Sequence, residues 1–171
     1  KELAAFGVYT LLLPYWKKKR VWLVFEKFCS MAQDNGYYFF KYCMEQLPKE
    51  KKQHIYYILD TDSADYDKMK QYGKHVISFM SFRHILYSLV ANLYIASDSK
   101  KHLYTWRAKP NVISNRISKH NILFLQHGVT ALKRVHPIFG MKGSSPMTHF
   151  TTTSRFEHKI IVENFGYEDG D

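Results

Sequence analysis

Six short apolar runs, separated by segments with helical spacing, constrain the fold of this chain more than any other feature of its sequence. Each run has the length of one strand, and most place apolar residues in succession rather than in alternation. Strands of this kind are buried on both faces, as in a parallel sheet. The runs cover residues 21–25, 54–59, 75–79, 93–96, 121–126 and, more weakly, 149–153.

Helical patterns fall between these runs. Apolar residues recur at intervals of three and four from Phe82 to Leu93, after Ser81, which suits a helix N-cap. Further helices are predicted over 37–47, over 64–72, and from a capping box at 154–157 to about residue 163. This alternation predicts an α/β fold with a doubly wound, mostly parallel, Rossmann-like sheet and helices on both faces.

The charge of the chain indicates its partners rather than its fold. Lysine and arginine number 25 against 15 acidic residues, so the formal net charge is +10. Such a surplus of positive charge favours a negatively charged partner, namely nucleic acid, an acidic membrane face or a polyanionic substrate. The charge alone does not distinguish among the three. Cys29 and Cys43 form neither a disulfide framework nor a zinc motif, which predicts a reduced, cytoplasmic compartment.

The N-terminal 20 residues are predicted to form a separate amphipathic segment. An apolar stretch from Leu3 to Trp16 is followed by the basic cluster 17–20. The stretch is shorter than the roughly 20 residues that a spanning helix needs, and Pro14 is expected to end a helix there. Residues 3–20 suit an anionic membrane surface. Two alternatives stay open: a first helix packed on the core before a solvated charge run, or the end of a longer hydrophobic segment.

The phosphate-binding and hydrolase motifs of common α/β proteins do not occur in this sequence. No G-x-G-x-x-G follows the first strand, and neither a P-loop nor a G-x-S-x-G elbow is present. The H-E-x-x-H motif of zinc proteases is also absent from the sequence, and no metal site is predicted. Ligands of open α/β sheets bind beyond the carboxyl ends of the strands, so the candidate residues are those that follow each apolar run.

His127 is the strongest candidate for a chemical role, because it directly follows the run 121–126. Gly128 comes next and allows a ligand to approach the backbone closely. Thr130, Lys133 and Arg134 follow within two turns. A neutral imidazole beside two cations suits a hydroxyl that attacks a phosphoryl group, with the histidine as general base. Most other histidines are interpreted as surface or structural residues, namely His54, His75, His84, His102, His120, His136 and His158.

Several segments in order resemble the CDP-glycerol glycerophosphotransferases, the polymerases and primases of teichoic acid. The strongest is FLQHGVTALKRV at 124–135, followed by residues 146–154 and by KIIVENFGY at 159–167. The resemblance extends from about Lys19 to the end of the chain. It implies one half of a GT-B architecture, in which residues 21–171 form the N-terminal, acceptor-side domain.

The resemblance also implies a reaction and a set of residues. These enzymes transfer glycerol phosphate or ribitol phosphate from a CDP-alcohol to a lipid-linked, polyanionic teichoic acid at the cytoplasmic membrane face, and CMP leaves. They need no cofactor beyond the donor substrate. The general base of the family corresponds to His127. The positions expected to bind phosphate or substrate are Gly128, Thr130, Lys133, Arg134, Thr153, Ser154 and Arg155, and Asp98 is expected to orient the base or an acceptor hydroxyl.

The sequence departs from the family pattern in two places. The family form reads Trp-His-Gly-Thr-Pro-Leu-Lys, whereas Gln126 stands here for the Trp and one extra residue precedes Lys133. The chain also ends where a C-terminal domain that binds the CDP-alcohol is expected, so these residues alone are expected to be inactive. Two alternatives stay open: a basic Rossmann-like module that binds nucleic acid, for which no motif is present, or a peripheral membrane module without chemistry.

Overall fold

The fold is an α/β sandwich around a parallel sheet. A computed structural model describes residues 1–104, 111–126, 128 and 134–168. Its six strands run in the order β3-β2-β1-β4-β5-β6, and every neighbouring pair is parallel. The predicted doubly wound class is confirmed. The strands are β1 (Trp22–Phe25), β2 (Ile55–Leu59), β3 (Val76–Ser78), β4 (Leu93–Ala96), β5 (Asn121–Phe124) and β6 (His149–Phe150).

Both faces of the sheet are buried, as the successive apolar residues predicted. Along β1, Leu23 and Phe25 pack on one face and Val24 packs on the other. The helices that bury residues on the first face are α1 (Glu2–Leu11), α6 (Phe82–Val90), α7 (Val112–Ser118) and α9 (Arg155–Phe165). The second face is covered by α3 (Asn35–Gln46) and α5 (Tyr66–Met69). The remaining short helices are α2 (Leu13–Lys17), α4 (Lys49–Lys52) and α8 (His136–Phe139).

The strand order places a topological switch point between β1 and β4. From β1 the chain proceeds outward to β2 and β3, and it then returns to the centre and proceeds outward again through β4, β5 and β6. The loops after β1 and β4 therefore diverge to opposite sides and leave a crevice at the carboxyl edge. The carboxyl edge next to β1, β4 and β5 is where a ligand site is expected.

Some predicted helix limits are wrong. The helix predicted over 64–72 is α-helical only from Tyr66 to Met69 and continues as a 3-10 segment, Lys70–His75, in which Gly73 has a φ of 51°. The helix after Ser81 ends at Val90 because Leu93 begins β4. Its predicted N-cap is confirmed, since the Ser81 hydroxyl accepts a hydrogen bond from the His84 N–H.

The N-terminal segment packs on the domain through one of its sides. Ala5 and Tyr9 of α1 are buried in the same cluster as the apolar residues of α6. Helix α1 ends at Leu11, shortly before Pro14, as predicted, and Pro14 itself lies in the first turn of α2, where a missing N–H costs nothing. The side chains of Leu3 and Leu11 remain 90% and 82% exposed. Within the described residues, no helix is both long and apolar enough to cross a membrane.

Candidate functional site

The predicted site residues that the structure describes lie at or after the carboxyl ends of the strands. Asp98 follows β4, and Gly128 follows β5. Thr153 and Ser154 follow β6, and Arg155 begins α9. Arg134 precedes α8 and is exposed. Three further predicted residues lie outside the described residues, namely His127, Thr130 and Lys133.

Gln126, the residue before the predicted base, is held by side chains from three different parts of the chain. Its backbone N–H donates to Thr151 Oγ1 (3.0 Å), and its carbonyl accepts from Asn35 Nδ2 (2.5 Å) at the start of α3. Its side-chain Nε2 donates to Glu157 Oε1 in α9 (2.7 Å). Gln126 is buried. The end of the β5 strand is thus fixed through both the main chain and the side chain of this residue.

Glu157 is a fully buried carboxylate that gathers donors at the start of α9. Its Oε2 accepts from both the N–H and the hydroxyl of Thr153, each at 2.8 Å. The hydroxyl of Ser154 accepts from the Glu157 N–H (3.2 Å). The Ser154 N-cap that the sequence predicted is confirmed, but the reciprocal bond of the capping box goes to Thr153, one residue earlier.

The predicted phosphate site at the start of α9 is therefore partly engaged by the protein itself. The N–H and hydroxyl donors of Thr153 are directed to Glu157. Ser154 and Arg155 are exposed at this end of the helix. A role for these three residues in binding phosphate stays a prediction.

Asp98 is paired with a histidine that sequence reasoning had not connected to it. His102 Nε2 lies 3.3 Å from Asp98 Oδ1, and the same oxygen accepts from the Ser99 N–H (2.6 Å). Burial acts to raise the pKa of Asp98, but the hydrogen bonds from His102 and Ser99 outweigh it, so the pKa is lowered. Asp98 is therefore a carboxylate at neutral pH, and its predicted role of orienting the base stays a prediction.

Glu26 is the residue at this edge whose role sequence reasoning missed. It follows β1, is 1% exposed, and accepts from three backbone N–H groups. Its Oε1 binds the N–H of Asp34 (2.9 Å) and of Tyr37 (2.8 Å), and its Oε2 binds that of Gln33 (3.0 Å). Burial outweighs these bonds and raises the pKa of Glu26.

This carboxylate occupies the place where dinucleotide-binding folds hold a pyrophosphate. In those folds the phosphate binds the N–H groups at the start of the first helix after β1. Here Glu26 accepts from the Tyr37 N–H in the first turn of α3 and from the Gln33 and Asp34 N–H groups just before it, and a Cβ on Gly36 would lie 3.1 Å from Glu26 Cγ. The buried glutamate and the absent glycine fingerprint both argue against a phosphate site of the dinucleotide-binding kind at the start of α3.

The loop after β1 contains two residues in the left-handed region. Phe28 and Cys29 have φ values of 56° and 54°. The Phe28 side chain is 60% exposed, and its ring meets the His102 ring edge-on with 4.2 Å between centroids. No sequence pattern predicted this conformation, because neither residue type favours it. Across the described residues, no three side chains of His, Cys, Asp or Glu come together as a metal site would require.

Comparison with known proteins identifies a relative of this chain. The chain is similar to the minor teichoic acid biosynthesis protein GgaB of Bacillus subtilis (strain 168), with 31% identity over 156 residues. The match covers 88% of this chain and 16% of GgaB. The chain belongs to the CDP-glycerol glycerophosphotransferase family. The resemblance found in the sequence is confirmed.

The family match includes the candidate site. A contiguous span that covers 88% of the chain includes residue 127 wherever it begins. This chain spans about a sixth of the length of its GgaB relative, since the match covers 16% of that protein. No family model and no solved structure matches the chain.

Proposed function

We propose that this chain forms the acceptor-side domain of a transferase in teichoic acid biosynthesis. The observation that carries the proposal is the similarity to GgaB over 88% of the chain, a span that includes the His-Gly pair. The reaction is transfer of glycerol phosphate or ribitol phosphate from a CDP-alcohol to a lipid-linked acceptor. A domain beyond these residues binds most of the donor, so the chain alone is expected to be inactive.

In the proposed reaction, His127 removes the proton from an acceptor hydroxyl. The hydroxyl oxygen attacks the phosphorus that bears the alcohol, and the bond between that phosphorus and the bridging oxygen breaks. CMP leaves with the electron pair of that bond. Lys133 and Arg134 offset the charge that accumulates on the phosphoryl oxygens. The reaction needs no redox cofactor, because no atom changes its oxidation state.

The hydrogen bonds that hold Gln126 support the assignment of His127 as the general base. A general base must be held in a narrow range of positions to act on a hydroxyl. The residue before His127 is bound by Asn35, Thr151 and Glu157, and thus by the segments that follow β1 and β6 and by α9. This constraint lies beside the switch point of the sheet, where α/β enzymes bind substrates.

The test measures CMP release by the full-length protein that contains this domain, with CDP-glycerol or CDP-ribitol and a lipid-linked acceptor. His127→Ala is expected to lower kcat by on the order of 10²–10⁴-fold, the usual contribution of a general base. His54→Ala is the matched control, because His54 lies before β2 at the opposite edge of the sheet. A His127→Ala enzyme that keeps kcat within a few-fold of the parent would rule out the proposed base.

A further inference from the structure

We infer that a cavity next to α2, at the amino edge of the sheet, is a binding site for a phosphate group. The cavity has a volume of about 250 Å³. Since one water molecule takes about 30 Å³, the cavity has room for a group of several atoms. Residues of α1 and α2 bound it on one side, and the segments 89–92 and 116–121, which lead into β4 and β5, bound it on the other. This edge is opposite the candidate site, so the inference does not rest on the proposed reaction.

Two buried polar atoms of the cavity-lining residues lack a hydrogen-bond partner among the described residues. They are the indole nitrogen Nε1 of Trp16 and the ring nitrogen Nε2 of His120. The indole nitrogen is always a donor, and the His120 nitrogen is a donor in the protonated ring. A buried donor without an acceptor costs free energy. Two such atoms around one cavity therefore favour an occupant that has acceptor oxygens.

The charge of the lining favours an anion as that occupant. Lys17, Arg116 and Lys119 line the cavity, and no aspartate or glutamate of the described residues does. The three cations are exposed, so an anion can reach them from solvent. Burial lowers the pKa of His120 to about 4, and the positive charge of Arg116 acts in the same direction. A bound anion would offset that charge and favour the protonated ring, which donates from both nitrogens.

The arrangement of the donors suits a phosphate. Arg116 lies in α7, whereas Trp16 and Lys17 lie in α2, so the donors reach the cavity from different sides. A tetrahedral phosphate has oxygens on all sides, and a guanidinium can bind two of them through parallel N–H groups. The same chemistry is offered by the headgroup of an anionic phospholipid and by free phosphate.

Protection of lysines from acetylation tests the site in the full-length protein. N-hydroxysuccinimide acetate modifies exposed lysines, and mass spectrometry of the peptides gives the rate at each one. Inorganic phosphate, at an ionic strength held constant with chloride, is expected to slow the acetylation of Lys119 by at least about threefold. Lys142 is exposed and does not line the cavity, so its rate is the internal control and should change by less than about 1.5-fold.

Two variants connect this protection with the cavity. Arg116→Gln removes a charge, and Trp16→Phe removes the indole N–H but keeps an aromatic ring. The phosphate concentration that half-protects Lys119 is expected to rise at least about tenfold in the first and about threefold in the second, because hydrogen bonds between charged groups are the stronger ones. Lys51→Gln makes the same change of charge at an exposed position outside this cavity and should leave that concentration within about 1.5-fold.

A soluble short-chain lipid, dihexanoylphosphatidylglycerol, distinguishes the two sources of phosphate. Half-protection of Lys119 at a lower concentration of this lipid than of inorganic phosphate would assign the site to a lipid headgroup, and the reverse order would assign it to free phosphate. Absence of protection by both probes would overturn the inference. So would parent-like protection in Arg116→Gln, a variant at an exposed position that decides the test even if Trp16→Phe alters the fold. An equal loss in Lys51→Gln would also overturn it, because total charge would then explain the binding.

Discussion

Glu26 shows how one side chain closes a site that the fold would otherwise offer. Its carboxylate accepts from backbone N–H groups at and just before the start of α3, the place where dinucleotide-binding folds hold a phosphate. The acidic residue follows an apolar strand in the sequence, which places it at the carboxyl edge, but its partners are backbone N–H groups that nearly every residue type carries. No sequence pattern distinguishes such partners.

Glu26→Gln is expected to lower the free energy of unfolding by about 1–3 kcal/mol. Both oxygens accept from backbone N–H groups, so an amide nitrogen would face a donor and leave it unpaired. Urea unfolding followed by circular dichroism measures the change. Glu45→Gln, on the exposed side of the same helix, is the control and should change stability by less than about 0.5 kcal/mol. Equal effects of the two substitutions would contradict this account of Glu26.

The buried histidine His84 predicts an acid-sensitive fold. Burial in α6 lowers the pKa of His84 to about 4 from an ordinary 6.5. Between these pH values the unfolded chain binds a proton that the folded chain does not, so stability falls as pH decreases through this window and levels off below about 4. The full loss is about 3 kcal/mol. Burial lowers the pKa of His120 to about 4 as well, and this adds in the same direction.

His84→Asn separates this contribution from the rest of the acid response. The Asn carbonyl can accept from the Met80 N–H, as His84 Nδ1 does at 3.0 Å, but it does not titrate. The variant should show a shallower fall in the urea midpoint between pH 7 and pH 4.5 than the parent. His149→Asn, at an exposed position, should keep the parent slope. An unchanged slope in the His84 variant would exclude this residue as a source.

At the scale of elements, the sequence predicted the strands and helices whose pattern lies within a short stretch of neighbouring residues. All six strands appear because each is an apolar run, and α6 begins where Ser81 caps it. Helix α7 was missed, although Asn111 and Ser114 form a capping box without the usual Glu or Gln. The contact between Gln126 and Glu157 was also beyond the sequence, because it joins residues 31 positions apart through the sheet order.

Helices α1 and α2 are the elements for which we propose a membrane contact. Leu3, Leu11 and Tyr15 are exposed, Lys19 Nζ lies 5.2 Å from the centre of the Tyr15 ring, and the basic cluster 17–20 follows. We propose that this surface attaches peripherally to an anionic membrane face, which is expected to be the cytoplasmic one. The inner side of α1 packs against α6, so membrane attachment would hold the domain through a helix that is fixed to its core.

Replacing Lys17, Lys18 and Lys19 with Gln is expected to weaken binding to vesicles that contain anionic lipid by about tenfold or more, since each basic residue near such a surface adds about 1 kcal/mol. Cosedimentation with vesicles of phosphatidylglycerol and phosphatidylcholine measures this. The control replaces the exposed Lys49, Lys51 and Lys142, which changes the net charge equally. Similar losses in both triple variants would show that only the total charge matters, and this would contradict a membrane-binding surface at residues 17–20.

At the scale of the whole molecule, the strand order and the strand lengths together decide how much unpaired backbone the two outer edges, or rims, of the sheet present. The described strands at the two rims are also the shortest, with three residues in β3 and two in β6. A rim strand presents unpaired N–H and C=O groups that can recruit a strand from another molecule. Rims this short present few such groups, so the described domain has little surface for strand-to-strand aggregation while its longer strands stay in the centre.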